Sequence, residues 1–343
     1  MNVRQGILIL SIGFGLGAAA GCDGTALDEG PTPYVVEVPE RFPLMPIPSD
    51  NPMTVEGVAL GRRLFFDPIL SRDSTVSCAS CHDPAVAFSD PRRVSLGVGG
   101  AAGTRNAMSL ANIGWAPLLF WDGRAASLEA QALLPVENPA EMGETWGNVV
   151  AKLRRHAAYP RLFEEVFGAG GVTREHVVKA IAQFERTLIS AGSKFDRFLE
   201  AKADFTALEQ AGFDLFFSER GDCFHCHSTR LFTDVRFHNN GLDLVSQDAG
   251  LAGVTGAPVD LGKFKTPSLR NVAYTAPYMH DGRFQTLEAV LDHYSEGVQP
   301  AETIDPLMRH GTRAALTPDE KVALIAFLKT LSDPDFIRGA GHP

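Results

Sequence analysis

The feature that most constrains this 343-residue chain is a short cysteine and histidine string that occurs twice. Cys78, Cys81 and His82 form the first copy, and Cys223, Cys226 and His227 form the second. The two thiols of such a string can bond the two vinyl groups of one haem, and the adjacent histidine can then bind the iron as its fifth ligand. A disulfide or a zinc site would not require the histidine at that place. The spacing therefore predicts two covalently bound haem c groups.

The sequence around the two strings is also repeated. Gly61 to Asp67 precedes the first string and resembles Gly212 to Ser218, which precedes the second. Farther along, Trp121 to Ala130 matches His280 to Ala289, and both contain Asp-Gly-Arg. Self-similarity of this kind indicates a duplicated unit. We therefore expect two homologous domains, each with one haem.

Helical patterns dominate the chain. Apolar residues recur at steps of three and four from Val177 to Ile189 and from Val322 to Leu331. Thr317, Pro318 and Glu320 supply an N-cap hydroxyl, a first-turn proline and a capping-box glutamate for the second of these helices. No pattern typical of a strand ladder stands out. The fold class is therefore expected to be mainly α, with two duplicated class I cytochrome c-like domains.

The N-terminus resembles an export signal. Residues 1–22 contain Arg4, then an apolar stretch, then small residues that end at Cys22. Small residues before a cysteine are typical of bacterial lipoproteins, so we expect a periplasmic protein anchored by lipid at Cys22. Plain secretion without a lipid is the alternative. The net charge of -10 argues against nucleic acid as a partner.

Composition divides the remainder of the chain. The prolines of residues 23–51 predict an extended tether. Residues 52–191 and 192–343 are then the N-terminal and C-terminal haem domains, and the boundary falls at the small residues near Ala191. The last helix is expected to pack on the first domain.

The repeat allows the far sides of the two haems to be compared. A strong sixth ligand closes a haem iron, whereas a vacant position admits a substrate. Fourteen residues after Trp121 is Pro135, and fourteen residues after His280 is Tyr294. Proline cannot bind iron, but a tyrosine phenolate can. The first haem is therefore expected to be open, and the second to have His227 and Tyr294 as its axial ligands.

Methionines compete with the tyrosine as ligands of the second haem. Met279 and Met308 are the rivals, because thioether ligation is common in electron-transfer cytochromes. The register of the repeat favours Tyr294 over both. Met108, just before a serine that both halves share, is expected to have a structural role at the first haem.

An open haem that meets peroxide needs a group to move a proton between the two oxygens. Glu141 and Gln131 lie on either side of Pro135 in the sequence. Glu141 is the candidate proton shuttle and Gln131 the candidate hydrogen-bond donor. A solvated surface glutamate is the competing interpretation of Glu141.

These motifs closely resemble the bacterial di-haem cytochrome c peroxidase family, including its MauG-type branch, from about Pro43 to Leu331. Besides the haem strings, the matching segments are Phe120 to Arg124, Gln131 with Pro135 and Glu141, Lys265 to Asn271, and Ala276 to Gly282. The resemblance implies that the first haem is peroxidatic, that Glu141 assists oxygen–oxygen cleavage, and that Trp121 relays electrons between the haems. Ordinary core packing is the alternative for Trp121.

The resemblance also implies a calcium ion between the two domains. The matching positions are the side chain of Asn106 and the backbone carbonyls of Thr275 and Pro277. Oxygen ligands suit calcium. Without the resemblance, no pattern in the sequence would single out these three residues.

Two departures separate the chain from typical peroxidases of this family. Gly97 to Gly103 occupies the loop that in those enzymes supplies a histidine to the resting first haem. This implies a first haem that is open without reductive activation. Tyr294 stands where the typical peroxidases have methionine, as in the MauG-type branch. A phenolate ligand lowers the haem potential and stabilises oxidised states.

Three functions follow as hypotheses. In the first, the enzyme reduces hydrogen peroxide to water at the Cys78 haem, with electrons from a small cytochrome c or cupredoxin relayed through the Cys223 haem and Trp121. In the second, the same site oxidises a side chain of a protein substrate, as MauG-type enzymes do. In the third, the chain is a non-catalytic electron carrier with both haems closed, which Pro135 argues against. A homodimer is left open.

Overall fold

The computed structural model describes residues 30–308 and 315–339. The predicted signal of residues 1–22, with Cys22, and residues 23–29 of the predicted tether lie outside the described residues. From Pro31 the chain forms one compact unit, and the predicted boundary near Ala191 stays a prediction. None of the described helices is both long enough and apolar enough to cross a membrane.

The fold is mainly helical, as predicted. The helices are α1 Val55–Phe66, α2 Leu128–Glu137, α3 Trp146–Arg155, α4 Tyr159–Phe167, α5 Arg174–Glu185, α6 Lys194–Leu199, α7 Ala207–Phe216, α8 Phe224–His227, α9 Ala252–Thr255, α10 Leu287–Asp292, α11 Pro318–Lys329 and α12 Pro334–Gly339. In the described part of the chain, the one sheet pairs strands β1 Phe237–His238 and β2 Phe264–Lys265 in antiparallel fashion. The α5 helix ends four residues before the predicted Ile189.

Each half is built around one pair of helices that approach closely, α1 with α5 and α7 with α11. A Cβ atom on Gly61 would lie 1.8 Å from the carbonyl oxygen of Ala180. A Cβ atom on Gly212 would lie 1.9 Å from the carbonyl oxygen of Ala323. Only glycine allows backbones to come this close. The repeated glycines therefore mark equivalent helix crossings.

Local signals set the start of α11 as predicted. The Thr317 side chain accepts a hydrogen bond from the backbone N–H of Glu320, and the Glu320 side chain accepts one from the backbone N–H of Thr317. Pro318 occupies the first turn, where its missing N–H costs nothing. The capping box and the first-turn proline are confirmed.

Both halves also contain a loop asparagine in the left-handed backbone region. Asn112 has φ 59° and Asn271 has φ 62°. The amide nitrogen of Asn112 donates to the backbone carbonyl of Ser190, and that of Asn271 donates to the Ser190 hydroxyl. One serine between α5 and α6 therefore fastens the corresponding loop of each half.

The segment from residue 31 to residue 51 has no helix, as its prolines predict, but it does not hang free as a tether. Phe42 and Met45 are buried against Trp115. The indole N–H of Trp115 donates to the carbonyl of Pro43 at 2.8 Å. The expectation of a tether is therefore wrong for residues 31–51, because apolar side chains between the prolines give the segment a surface to bury.

The last described helix, which follows the one predicted from Val322 to Leu331, packs on the first half of the chain. Phe336 of α12 is buried in the same apolar cluster as Phe65 and Phe88. The rings of Phe336 and Phe88 have their centroids 5.9 Å apart. Since Phe88 lies just after the first haem string, the C-terminal helix supports the surroundings of that string.

Candidate haem sites and catalytic residues

The first string is folded so that one ring nitrogen of its histidine is already bonded. Cys78 begins a single helical turn, and the Nδ1 atom of His82 lies 2.9 Å from the carbonyl oxygen of Phe88. Donation from Nδ1 leaves Nε2 with its lone pair, as a metal ligand requires. Burial lowers the pKa of His82, although the carbonyls of Phe88 and Met108 partly offset this effect. The imidazole is therefore neutral and suited to bind iron.

The second string repeats this arrangement. His227 ends α8, and its Nδ1 atom lies 2.8 Å from the carbonyl oxygen of Phe232. Burial lowers the pKa of His227 as well. Phe232 and Phe88 occupy corresponding places after the two strings. Both histidines are thus held by a backbone carbonyl that fixes the ring orientation and frees Nε2.

A cavity of about 280 Å³ lies beside the second string. Cys223, Cys226 and His227 line one side of it, and Tyr294 lines it as well. Apolar side chains complete the wall, namely Phe216, Leu287, Leu291, Leu324 and Leu328. Two thiols, one neutral imidazole and apolar walls are the donor set and the environment that a covalent haem requires. The residues therefore fit the predicted cofactor.

The structure brings all three candidate distal ligands to this cavity. Tyr294 lies in the π-helical turn His293–Gly297 after α10, and Met279 and Met308 line the cavity too. The amide nitrogen of Asn240 lies 3.2 Å from the Tyr294 hydroxyl and 3.6 Å from the Met279 sulfur. Burial raises the pKa of Tyr294. Ligation by Tyr294 stays a prediction, because its two rivals remain within the same cavity.

The predicted distal residues of the first site lie on α2 and just after it. Gln131 and Pro135 belong to α2, whose buried Ala132 and Val136 share an apolar cluster against which Cys78 packs. Proline has no N–H and cannot complete the helical hydrogen bond there. The helix with Gln131 and Pro135 is therefore packed on the same core as the first string.

Glu141 is partly buried near the two thiols of the first string. Its carboxylate accepts a hydrogen bond of 2.7 Å from Asn138, and its negative charge contributes to raising the pKa of both Cys78 and Cys81. Burial raises the pKa of Glu141, although Asn138 and the positive charge of Arg124 partly offset it. A carboxyl group of this kind can hold a proton closer to neutral pH than a surface glutamate can.

The glycine-rich loop from Gly97 to Gly103 contacts Glu141 through its backbone. The N–H of Val98 donates to the Glu141 carbonyl at 2.8 Å. A Cβ atom on Gly97 would lie 2.3 Å from the carbonyl oxygen of Ala140 and 2.4 Å from that of Glu141. Glycine is therefore required at position 97 for the loop to reach the segment that carries Glu141.

Trp121 lies in the wall of the second cavity and is 9% exposed. Its indole N–H donates to the backbone carbonyl of Asn106 at 2.8 Å. The side-chain nitrogen of Asn106 donates to the carbonyls of Asp90 and Arg92, so that Oδ1 is the remaining acceptor of this amide. Asn106, Thr275 and Pro277 all line the cavity. The three residues named for calcium are therefore neighbours of the same space.

Sequence reasoning missed a charged cluster beside Cys226. The imidazole of His238 bonds two carboxylates, with Nδ1 2.6 Å from Asp305 and Nε2 2.9 Å from Asp234. His238 and Asp305 line the cavity. Asp305 is 67 residues from His238 in the sequence, so no local spacing could have indicated their contact.

Comparison with known proteins gives consistent matches. A family model described as di-haem cytochrome c peroxidase matches residues 55–204. The methylamine utilization protein MauG of Methylorubrum extorquens is 41% identical, with 84% of this chain and 81% of the relative covered. The cytochrome c551 peroxidase of Nitrosomonas europaea is 35% identical, with 86% of each chain covered.

A solved structure is similar as well. It is described as a MauG-like protein associated with microbial copper homeostasis, and it superposes with a TM-score of 0.84 at 39% sequence identity. The match covers 89% of this chain and 97% of that chain. Relatives of both kinds, peroxidases and MauG proteins, therefore match nearly the whole length of the fold.

Proposed function

Because this chain belongs to the di-haem cytochrome c peroxidase family, whose members are oxidoreductases, we propose that it reduces hydrogen peroxide to water at the first of two haem c sites. The observation that carries the proposal is the unequal pair of distal sides. Pro135 and a partly buried Glu141 accompany the first string, whereas Tyr294 shares a cavity with the second. Only the first distal side combines a residue that cannot bind iron with a proton carrier.

The residues that would hold the two groups are the two strings. Cys78, Cys81 and His82 hold one haem, and Cys223, Cys226 and His227 hold the other. When bound, the first haem supplies the iron centre at which peroxide binds and is reduced. The chain contributes ring nitrogens of fixed orientation, because the carbonyls of Phe88 and Phe232 hold the two imidazoles.

Glu141 carries the proton in this proposal. Its carboxylate would take a proton from one oxygen of bound hydrogen peroxide and return it to the other, which leaves as water. The hydrogen bond from Asn138 orients the carboxyl group, and partial burial keeps its affinity for a proton high. Gln131, which precedes Pro135 by one helical turn, is the proposed hydrogen-bond donor to the bound peroxide.

Electrons reach the first site from the second in this proposal. Trp121 is the proposed relay, since its buried ring lies in the wall of the second cavity and its indole is fixed by Asn106. A small cytochrome c or a cupredoxin is the proposed donor. His227 and Tyr294 are the residues that would bind the iron of the second haem.

The two halves are proposed to be duplicated class I cytochrome c-like domains, residues 52–191 and 192–343. Support comes from the matching helix crossings at Gly61 and Gly212 and from the matching histidine–carbonyl bonds. A calcium ion is proposed at Asn106 Oδ1 with the carbonyls of Thr275 and Pro277. The fit rests on the Asn106 amide, whose nitrogen is already engaged by two carbonyls.

A second function is favoured by a different observation. The Gly97 loop contacts Glu141 by its backbone and offers no histidine to the first haem, and Tyr294 lies in the second cavity. The loop departs from typical peroxidases and the tyrosine matches the MauG-type branch, and relatives named MauG match as well as the peroxidases do. The alternative is therefore an oxidase of a side chain on a protein substrate. One similar structure is described as associated with copper homeostasis, so such a substrate is a candidate copper-handling protein.

We place the mature protein in the periplasm, anchored by lipid at Cys22. Residues 1–22 support export, because they have the charge and the apolar length of a signal. A homodimer is an arrangement that mass measurements in solution can examine.

The test is electron paramagnetic resonance of the oxidised protein before and after hydrogen peroxide, with mass spectrometry to count attached haems. We expect two haems, one high-spin signal and one low-spin signal, both lost rapidly after peroxide. Fast recovery with a small cytochrome or cupredoxin supports the peroxidase. Slow recovery, with oxidation of a copurified protein, supports the alternative. Two low-spin signals that do not change on addition of peroxide would contradict both proposed enzyme functions.

A further inference from the structure

The cluster beside Cys226 consists of Asp234, His238 and Asp305, and we refer to it as the aspartate–histidine clamp. Each ring nitrogen of His238 meets one carboxylate, so two protons are shared among one imidazole and two carboxyl groups. Its net charge is -1 whether both protons are on the ring or one has moved to a carboxyl group. The three side chains are between 16% and 18% exposed. The clamp is therefore a fixed negative charge that is largely shielded from solvent.

The clamp lies close to a haem attachment point. Ligand atoms of Asp234, His238 and Cys226 all lie within 4.8 Å of one another, and the N–H of Asp234 donates to the carbonyl of Cys226. Asp305 completes the cluster through the other ring nitrogen of His238, at 2.6 Å. The negative charge of the clamp therefore lies within a few ångströms of the Cys226 sulfur.

The corresponding aspartate of the first half, Asp90, belongs to a neutral ion pair. Asp90 follows Phe88 by two residues, as Asp234 follows Phe232. The Oδ1 atom of each aspartate accepts a hydrogen bond from the backbone N–H two residues later. The Asp90 carboxylate, however, is held by two nitrogens of the Arg92 guanidinium, at 2.8 and 2.7 Å. One carboxylate and one guanidinium sum to zero. The two clusters therefore differ by one unit of negative charge. The Glu141 carboxylate also acts on Cys81 in the first half, and the Asp222 carboxylate acts on Cys226 in the second.

A metal ion does not explain the clamp. A metal would need a ring nitrogen of His238 with a free lone pair and a thiolate at Cys226. Both ring nitrogens are instead hydrogen-bonded to carboxylates. Cys226 also belongs to the haem string. The cluster is therefore built to hold charge.

We propose that the aspartate–histidine clamp lowers the reduction potential of the second haem, so that this haem is more easily oxidised than it would be beside a neutral pair such as Asp90 with Arg92. The inference rests on the proposed attachment of a haem at Cys223 and Cys226. A fixed negative charge stabilises the oxidised form of a nearby iron over the reduced form, and low polarity around the charge strengthens the effect. Oxidising equivalents generated at the first site are thereby favoured on the second.

The test replaces both carboxylates by amides of the same shape. The double variant Asp234→Asn with Asp305→Asn changes the cluster from -1 to neutral or positive. The matched control is Asp260→Asn with Asp292→Asn, which removes two charges from the same half at positions that do not line the cavity. Each haem is titrated at pH 6 by absorbance and electron paramagnetic resonance, after mass spectrometry has counted the attached haems.

We expect the reduced-to-oxidised ratio of the second haem at a fixed potential to rise about tenfold, a shift of about 59 mV for one electron. The first haem and the control should change little. If folding of the double variant is poor, Asp305→Asn alone should shift the potential in the same direction, because it removes one of the two carboxylate charges of the clamp. Two haems with an unchanged second potential in both variants would overturn the clamp and leave the proposed function intact. A missing second haem in the unmodified protein would instead remove the proposed function.

Discussion

The two haem regions hold their histidines alike but differ in their predicted distal residues and in the charge of the clusters beside them. His82 and His227 both bond a phenylalanine carbonyl six or five residues later, at 2.9 and 2.8 Å. Around the first string lie Pro135, Glu141 and a neutral aspartate–arginine pair. Around the second lie Tyr294 and a cluster with one net negative charge. The comparison teaches that attachment is repeated, whereas the environment that sets reactivity is specific to each half.

The largest expected difference between the two regions is tested by removing the phenol group of Tyr294 from the second. Tyr294→Phe should convert the low-spin signal of the second haem completely to high spin, because phenylalanine offers the iron no donor atom. The measurement is electron paramagnetic resonance of the oxidised protein. The matched variant is Met279→Leu, which leaves the tyrosine in place and should keep the low-spin signal. If the two variants behave in the opposite way, Met279 is the ligand and the second site is that of a typical peroxidase.

The next effect concerns the proton carrier of the first region. Glu141→Gln should slow the reaction with hydrogen peroxide about 100-fold to 1,000-fold in stopped-flow absorbance, because an amide cannot take up a proton. Glu137→Gln, an exposed change at the end of α2, should react at the unmodified rate. Equal rates for both variants would assign the proton transfer to another group.

The pH profile sharpens the same test. Burial raises the pKa of Glu141, so its basic form is lost as pH falls through a range higher than that of an ordinary glutamate. The unmodified protein should therefore lose activity toward acid pH in that range, whereas Glu141→Gln should show no such limb. An acid limb retained by the variant would belong to a different residue.

A smaller effect on the rate of peroxide reduction is expected from a change in the glycine-rich loop from Gly97 to Gly103. Gly97→Ala places a Cβ atom against the carbonyl oxygens of Ala140 and Glu141, which should displace the carboxyl group and slow peroxide reduction about tenfold. The control is Gly103→Ala, since the nearest atom to a Cβ there is 3.5 Å away. The two variants are compared by peroxide kinetics at equal haem content. No loss at Gly97→Ala would mean that the loop does not position Glu141.

Much of this protein follows from short stretches of sequence. The spacing of Cys78, Cys81 and His82 indicates haem attachment because the bonds to be made are local, and the capping box before α11 is local for the same reason. The duplication is also evident in the sequence, and its register alone predicted Pro135 and Tyr294 as corresponding distal residues. The packing of residues 31–51 was the main error about the fold, since proline content describes backbone shape and says nothing of the apolar partners that Phe42 and Met45 find.

What the tertiary structure alone decided are the contacts between distant parts of the chain. Asp305 meets His238 across 67 residues, and Gly97 reaches the backbone of Glu141 only because no side chain intervenes. Hydrogen bonds and charges act over a few ångströms in space, whatever the separation along the chain. The sequence by itself predicted two attached haems and the residues that would hold them. The charge around each haem string depends on which groups, distant in the sequence, the fold brings close to it.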